Sequence, residues 1–211
     1  MGEPAGTLEV DVWSDFLCPW CYVASARVEW LAADERITLR RLPYELHPNV
    51  PLEGRATARV YGHGDPERAA RALAGFATLS AAEGLGWRVP EIVPNTRLAL
   101  ATDEWLRRND PDVHPRFHTG VFDQLWAAGG DIRTAEALGA IVERSGGDPD
   151  AALAGAEAAV ADGWLDAAHA AAMDRGVTGT PAFVFGQLVV PGLQDQAFFE
   201  RIIGRLASRS R

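Results

Sequence analysis

The sequence contains no lysine: all twenty of its basic residues are arginine, set against 29 acidic residues for a net charge of -9. That balance supplies no basic patch for nucleic acid or an anionic membrane surface, and it disfavours a polyanionic ligand. Long apolar runs are missing too, since no stretch approaches the ~18 uninterrupted apolar residues of a membrane span. The opening Met1-Gly2-Glu3-Pro4-Ala5-Gly6 carries an acid where a secretory leader carries base, and no apolar core follows, so the expected location is cytoplasmic. Cysteine is nearly absent, with two in 211 residues, which excludes a disulfide-stapled scaffold. A chain of this length with 47% hydrophobic residues fills a core without staples.

The two cysteines sit together, in Cys18-Pro19-Trp20-Cys21. Thiols at i and i+3 of a helical turn share a face and can close a small disulfide ring. In a reducing compartment such a pair is catalytic or metal-binding rather than structural. A metal reading would complete it with His114 and His118, formally C-x2-C with H-x3-H. Zinc fingers place the two pairs about 12–15 residues apart, whereas here nearly half the chain intervenes, and Pro115 and Phe117 suit an ordinary helix start. The expectation is therefore redox chemistry and no metal. His47, His63 and His169 show no partner pattern, and Gly62-His63-Gly64 lacks the third glycine of a dinucleotide loop.

Leu8 to Trp13 alternates Leu8, Val10 and Val12 with Glu9, Asp11 and Trp13, as a strand does. Pro19 suits the first position of a helix running to about Ala33, and Ile37 to Leu46 alternates as a second strand before the loop His47-Pro48-Asn49-Val50-Pro51. From Pro66 to Arg175 the pattern predicts only helices, over 66–84, 96–108, 114–128, 134–145, 149–160 and 162–175. Asn95, Thr134 and Asp148 serve as N-caps, and Gly176 follows the last helix. Strand character returns in Ala182–Phe185 and Leu188–Val190 around Gly186-Gln187, and a helix from about Gln194 to Leu206 closes the chain. The expected architecture is α/β, a βαβ…ββα framework with a large all-helical insertion. Residues 7–62 with 176–208 form one discontinuous domain, and 63–175 form the insertion.

Strand, CxxC at a helix start, second strand, then Thr-Pro entering a hairpin with a closing helix resembles the thioredoxin fold. The helical insert makes the chain similar to the DsbA family. Within it the FrnE-like branch is the nearest resemblance, carried by Asp15-Phe16-Leu17-Cys18-Pro19-Trp20-Cys21, Glu53-Gly54, Pro94-Asn95-Thr96-Arg97-Leu98-Ala99 and Gly176-Val177-Thr178-Gly179-Thr180-Pro181. The resemblance implies a DsbA-like, thioredoxin-like fold over nearly the whole chain. It implies a cytoplasmic thiol–disulfide oxidoreductase or isomerase acting on protein or peptide thiols and disulfides, as monomer or homodimer. No bound cofactor is implied, with glutathione a candidate redox partner. It also implies a cis Thr180-Pro181 peptide against the cysteines. The related 2-hydroxychromene-2-carboxylate isomerases and kappa-class glutathione transferases typically have serine where Cys18 stands, and this chain keeps both sulfurs.

The helix start supplies unpaired N–H groups and the positive end of the dipole, so Cys18 is the expected nucleophile; Cys21, one turn in and expected to be more buried, is the resolving thiol. Trp20 brings no titratable charge between them, and Asp15, if near in space, would oppose the thiolate. Asp11 is either a buried proton relay to Cys21 or a salt-bridged strand carboxylate. Under the resemblance Pro181 exposes the Thr180 backbone for pairing with an extended substrate. Asn95 is by itself an N-cap, while in the glutathione-using relatives the matching region lines the ligand cleft. Two alternatives stand beside the disulfide enzyme: a glutathione-dependent isomerase or transferase, and a non-catalytic peptide-binding chaperone on the same fold.

Overall fold

The alternation beginning at Leu8 forms β1 (Leu8–Ser14), the strand on which the other sheet strands are laid. In the computed structural model, which describes residues 7–207, it is followed by α1 (Pro19–Ala32), β2 (Ile37–Pro43), β3 (Arg55–Ala56), α2 (Thr57–Gly62), α3 (Pro66–Ala82) and β4 (Ile92–Val93). Next come α4 (Arg97–Asn109), α5 (His114–Phe122) with a π-helical turn over Asp123–Ala127, α6 (Ala135–Arg144), α7 (Pro149–Ala161) and α8 (Trp164–Asp174). The chain ends in β5 (Ala182–Phe185), β6 (Leu188–Pro191) and α9 (Gln196–Ala207). The expectations on Met1–Gly6 and on Ser208 lie outside the described residues.

The main sheet has the order β2-β1-β5-β6, with β1 parallel to β2 and antiparallel to β5. Its register sets Val10 opposite Phe185 and Val12 opposite Phe183, so one face is apolar on both strands. That face buries Ala24, Val28 and Leu31 of α1 together with Phe199 and Ile203 of α9. The opposite face carries Trp13 and Val184 against Ala172 of α8 and Val177. α1 is apolar around most of its girth because it is packed on both sides. Val23, off the sheet side, meets Leu73 and Phe76 of α3.

A second core lies among the helices, where Phe117, Phe122, Leu125, Trp126, Ile141 and Leu165 bury one another. Phe16, Cys18, Cys21 and Tyr22 belong to this cluster, so the helical layer is the roof of the CxxC segment. The helix boundaries follow local chemistry. Thr134 accepts from Ala137 N at 3.1 Å, Asp148 accepts from the N–H groups of Asp150 and Ala151, and Gly176, at φ +78°, ends α8.

The expectation of helices alone between 66 and 175 needs one correction, because β4 pairs there with β3. Two-residue strands have no alternation to read, and the two segments are held side by side at the start of α2, where Thr57 N donates to Glu91 carbonyl and Thr57 Oγ1 to Pro90 carbonyl. α2 itself falls where no regular element was expected, and the β3–β4 ladder crosses the expected boundary at residue 62. Phe199 is fully buried, with its ring 4.7 Å from that of Phe183. Phe199→Ala should therefore destabilise the fold by about 3–5 kcal/mol, read as a lower urea midpoint with an unchanged m value.

Candidate active site

The site is built where β1 ends. Asp15 carbonyl accepts from Cys18 N at 3.1 Å, turning the chain so that Cys18 becomes the N-cap of α1 with Pro19 in its first turn. Cys18 carbonyl then accepts from Cys21 N and Tyr22 N at 3.0 and 3.2 Å. This brings the Cys21 N–H and the positive end of the helix dipole to the Cys18 sulfur.

Both cysteines are free thiols, and each is only 3% exposed. The Cys21 thiol is nonetheless the more deeply set of the two, as expected one turn into the helix. The two sulfurs also differ in acidity. A hydrogen bond from the Cys21 thiol lowers the pKa of Cys18, helped by the Thr180 side chain and opposed by burial and the Asp15 charge. Burial, then the neighbouring Cys18 sulfur, pushes Cys21 well above the ordinary thiol range. The Thr180-Pro181 peptide is cis, and Cys18 Sγ donates to Thr180 carbonyl at 3.7 Å. Thr180 Oγ1 is buried beside the two sulfurs.

Asp15 does lie beside the pair. It is fully buried and accepts from Leu46 N at 2.7 Å, from Thr96 Oγ1 at 2.7 Å and from Leu17 N at 3.3 Å. Burial, with a smaller push from Glu45, lifts its carboxyl to about 6 against those hydrogen bonds.

Asp11 is a salt-bridged strand carboxylate. Val10 and Val12 take the α1 face of the sheet, so the alternation turns Asp11 to the opposite face, away from Cys21. There Arg40 binds it through two contacts of 2.6 and 2.9 Å, and Arg175 lies 3.5 Å away. Asn95, expected as the N-cap of α4, sits one residue before the cap position, which Thr96 occupies. Its Oδ1 accepts from Arg97 N at 3.0 Å and its Nδ2 donates to Val50 carbonyl at 2.6 Å, tying the loop after β2 to the start of α4.

A cleft of about 360 Å³ opens beside Cys18, walled by Trp20, Tyr61, Leu73, Phe76 and Thr180. Trp20 is 46% exposed at its mouth and sets an edge on Phe76, which stacks on Trp87 and through it on Trp126; Trp126 Nε1 donates to Phe16 carbonyl at 2.8 Å. Tyr61 and Phe76 carry no motif in the sequence. Their only signal is apolar spacing on α2 and α3, which does not say that those helices face the cysteines. A second cleft of about 390 Å³, holding Asn49, Arg55 and Arg59, shares Leu46 and His47 with the first.

A CxxC pair at a helix start, on this mixed sheet with its helical layer, defines a DsbA-like thioredoxin fold. Residues 9–204 match the model of the DSBA-like thioredoxin domain, and the chain belongs to that family. The structure is similar to a probable DsbA oxidoreductase, SCO1869, from Streptomyces coelicolor, with a TM-score of 0.82 and 25% identity over 97% of this chain and 91% of that one. It shares the fold of a 2-hydroxychromene-2-carboxylate isomerase, with a TM-score of 0.74 and 23% identity over 96% and 97% of the two chains. The uncharacterized protein YwbO of Bacillus subtilis (strain 168) is 22% identical over 198 residues, covering 93% of this chain and 96% of its own.

Iodoacetamide at pH 8 should label Cys18 and leave Cys21 unlabelled in the folded protein, as mapped by peptide mass spectrometry. Asp15 has a second consequence. Its folded pKa of about 6 lies above the ordinary ~3.9, so the folded state holds an extra proton between those values, and stability falls as pH rises from about 4 to 6. Asp15→Asn should flatten that fall by up to about 3 kcal/mol, read from urea midpoints across the interval.

Proposed function

We propose that the protein is a cytoplasmic, FrnE-type thiol–disulfide oxidoreductase or isomerase that acts on disulfides of proteins or peptides through Cys18 and Cys21. The observation that carries this reading is the opposed acidity of two thiols one turn apart, with the acidic one at a helix N-terminus and facing Thr180. In the reducing direction the Cys18 thiolate attacks one sulfur of a substrate disulfide. The other substrate sulfur leaves as a thiolate and takes a proton, giving a mixed disulfide. Cys21 then loses its proton and attacks Cys18 Sγ, which releases the second substrate thiol and leaves a Cys18–Cys21 disulfide. Two electrons pass from the dithiol to the substrate. Run backwards, the same steps oxidise a dithiol, and release before resolution permits isomerisation.

Residues 7–62 with 176–208 are the redox unit in this reading, and 63–175 are the insertion that walls the cleft. Pro19 and Trp20 tune the pair and present apolar surface to the substrate, while Thr180 and Pro181 offer backbone for an extended segment. No bound cofactor takes part. The second cleft, with Arg55 and Arg59 beside His47, suits the carboxylates of glutathione as the thiol that recycles the site. The shared fold with the 2-hydroxychromene-2-carboxylate isomerase favours one other reading, glutathione-dependent isomerisation or transfer, in which Cys21 is dispensable.

Cys21→Ser should accumulate a mixed disulfide with reduced and re-oxidised insulin or scrambled ribonuclease, visible on non-reducing gels, and Cys18→Ser should trap nothing. Both variants should fall to the uncatalysed rate of insulin reduction. Full turnover of either protein substrate by Cys18→Ser would overturn the proposal, and a Cys21→Ser protein that keeps glutathione-dependent activity would favour the isomerase.

A further inference from the structure

α5 carries His114 and His118 one turn apart, on one face, and α4 places Asp103 opposite them. The three residues are 5%, 6% and 3% exposed. His118 Nδ1 lies 3.0 and 3.1 Å from the two Asp103 oxygens. His114 Nε2 lies 3.3 Å from Asp103 Oδ1 without the alignment of a hydrogen bond, so this buried nitrogen has no partner. One donor atom from each residue falls within 4.8 Å of the other two.

We propose that Asp103, His114 and His118 bind a single divalent transition-metal ion, zinc foremost, with solvent completing its coordination. Zinc held about 2.0–2.2 Å from imidazole nitrogen and carboxylate oxygen keeps tetrahedral donors roughly 3.3 Å apart, and the 3.1 and 3.3 Å from Asp103 Oδ1 to His118 Nδ1 and His114 Nε2 correspond. The donor set, two imidazoles and a carboxylate, suits zinc and its first-row neighbours. Among the cations nearby, Arg41 is engaged by Glu29, and Arg107 and Arg108 by Glu104. The site is separate from the cysteines, but His118 packs its ring 5.2 Å from that of Phe16, so a bound ion would stiffen the support of the CxxC loop from behind. The spacing that rules out a joint site with Cys18 and Cys21 does not bear on this one, because its third donor comes from α4.

The test uses the full-length protein with Cys18→Ser and Cys21→Ser, stripped with chelator, so that thiols cannot contribute. Titration with cobalt(II), then zinc, should saturate at one equivalent, with cobalt d–d absorption and no thiolate charge-transfer band. Paramagnetic shifts should fall on the His114 and His118 ring protons. His118→Gln and His114→Gln should each weaken binding by about a hundredfold or more, and His114→Gln has no hydrogen bond at Nε2 to lose, which keeps the fold for the comparison. No uptake, uptake unchanged in both variants, or shifts at other histidines would overturn the proposal and leave a buried carboxylate sharing a proton with its histidines.

Discussion

One buried carboxyl holds the site in place. Asp15 reaches its own turn through Leu17 N, the loop after β2 through Leu46 N, and the start of α4 through Thr96 Oγ1. Three segments far apart in sequence thus meet on two oxygen atoms, in surroundings where an unmet polar group costs about 1–3 kcal/mol. The turn it organises sets Cys18 at the N-cap of α1, and the indole of Trp126 closes the same turn from the helical side. A carboxylate next to a thiolate is electrostatically costly, and Asp15 does oppose ionisation of Cys18. Its own rise to about 6 moderates that cost, since more of the carboxyl stays neutral there than at its ordinary value.

The pair beneath it shows how burial alone does not decide reactivity. Both cysteines are buried, yet one thiol is made more acidic and the other less. The Cys18 sulfur collects the stabilising contacts, namely the Cys21 thiol, the Thr180 side chain and the helix terminus. Cys21, one turn inside, meets desolvation with little to offset it. Exposure is left to Trp20, whose ring stands at the cleft mouth on a chain of aromatic contacts running through Phe76 and Trp87 to Trp126.

Much of this was legible before folding was considered. Period-two alternation located β1 and β2, apolar runs around Gly186-Gln187 located the β5–β6 hairpin, and caps such as Thr134, Asp148 and Gly176 bounded the helices. Where the reading failed, the information was not local. β3 and β4 are two residues each and exist only as partners. Asp11 in the first strand and Asp15 after it are both acids close to the cysteines in sequence, and only the tertiary structure turns the first toward Arg40 and the second under the active-site turn. Asn95 read as a cap, yet the other end of its amide is used to hold Val50.

The sequence by itself determined the α/β class, the order of elements and the two sulfurs, because alternation, capping and a CxxC at a helix start act over a few neighbouring residues. Tertiary structure alone decided which side chains face those sulfurs: Thr180 across the cis peptide, Tyr61 and Phe76 from α2 and α3, and Asp15 with its three donors. It also decided that His114 and His118 meet Asp103 rather than the cysteines. Such contacts join residues tens to more than a hundred positions apart, and they are set by how helices pack on a sheet, which no local pattern encodes.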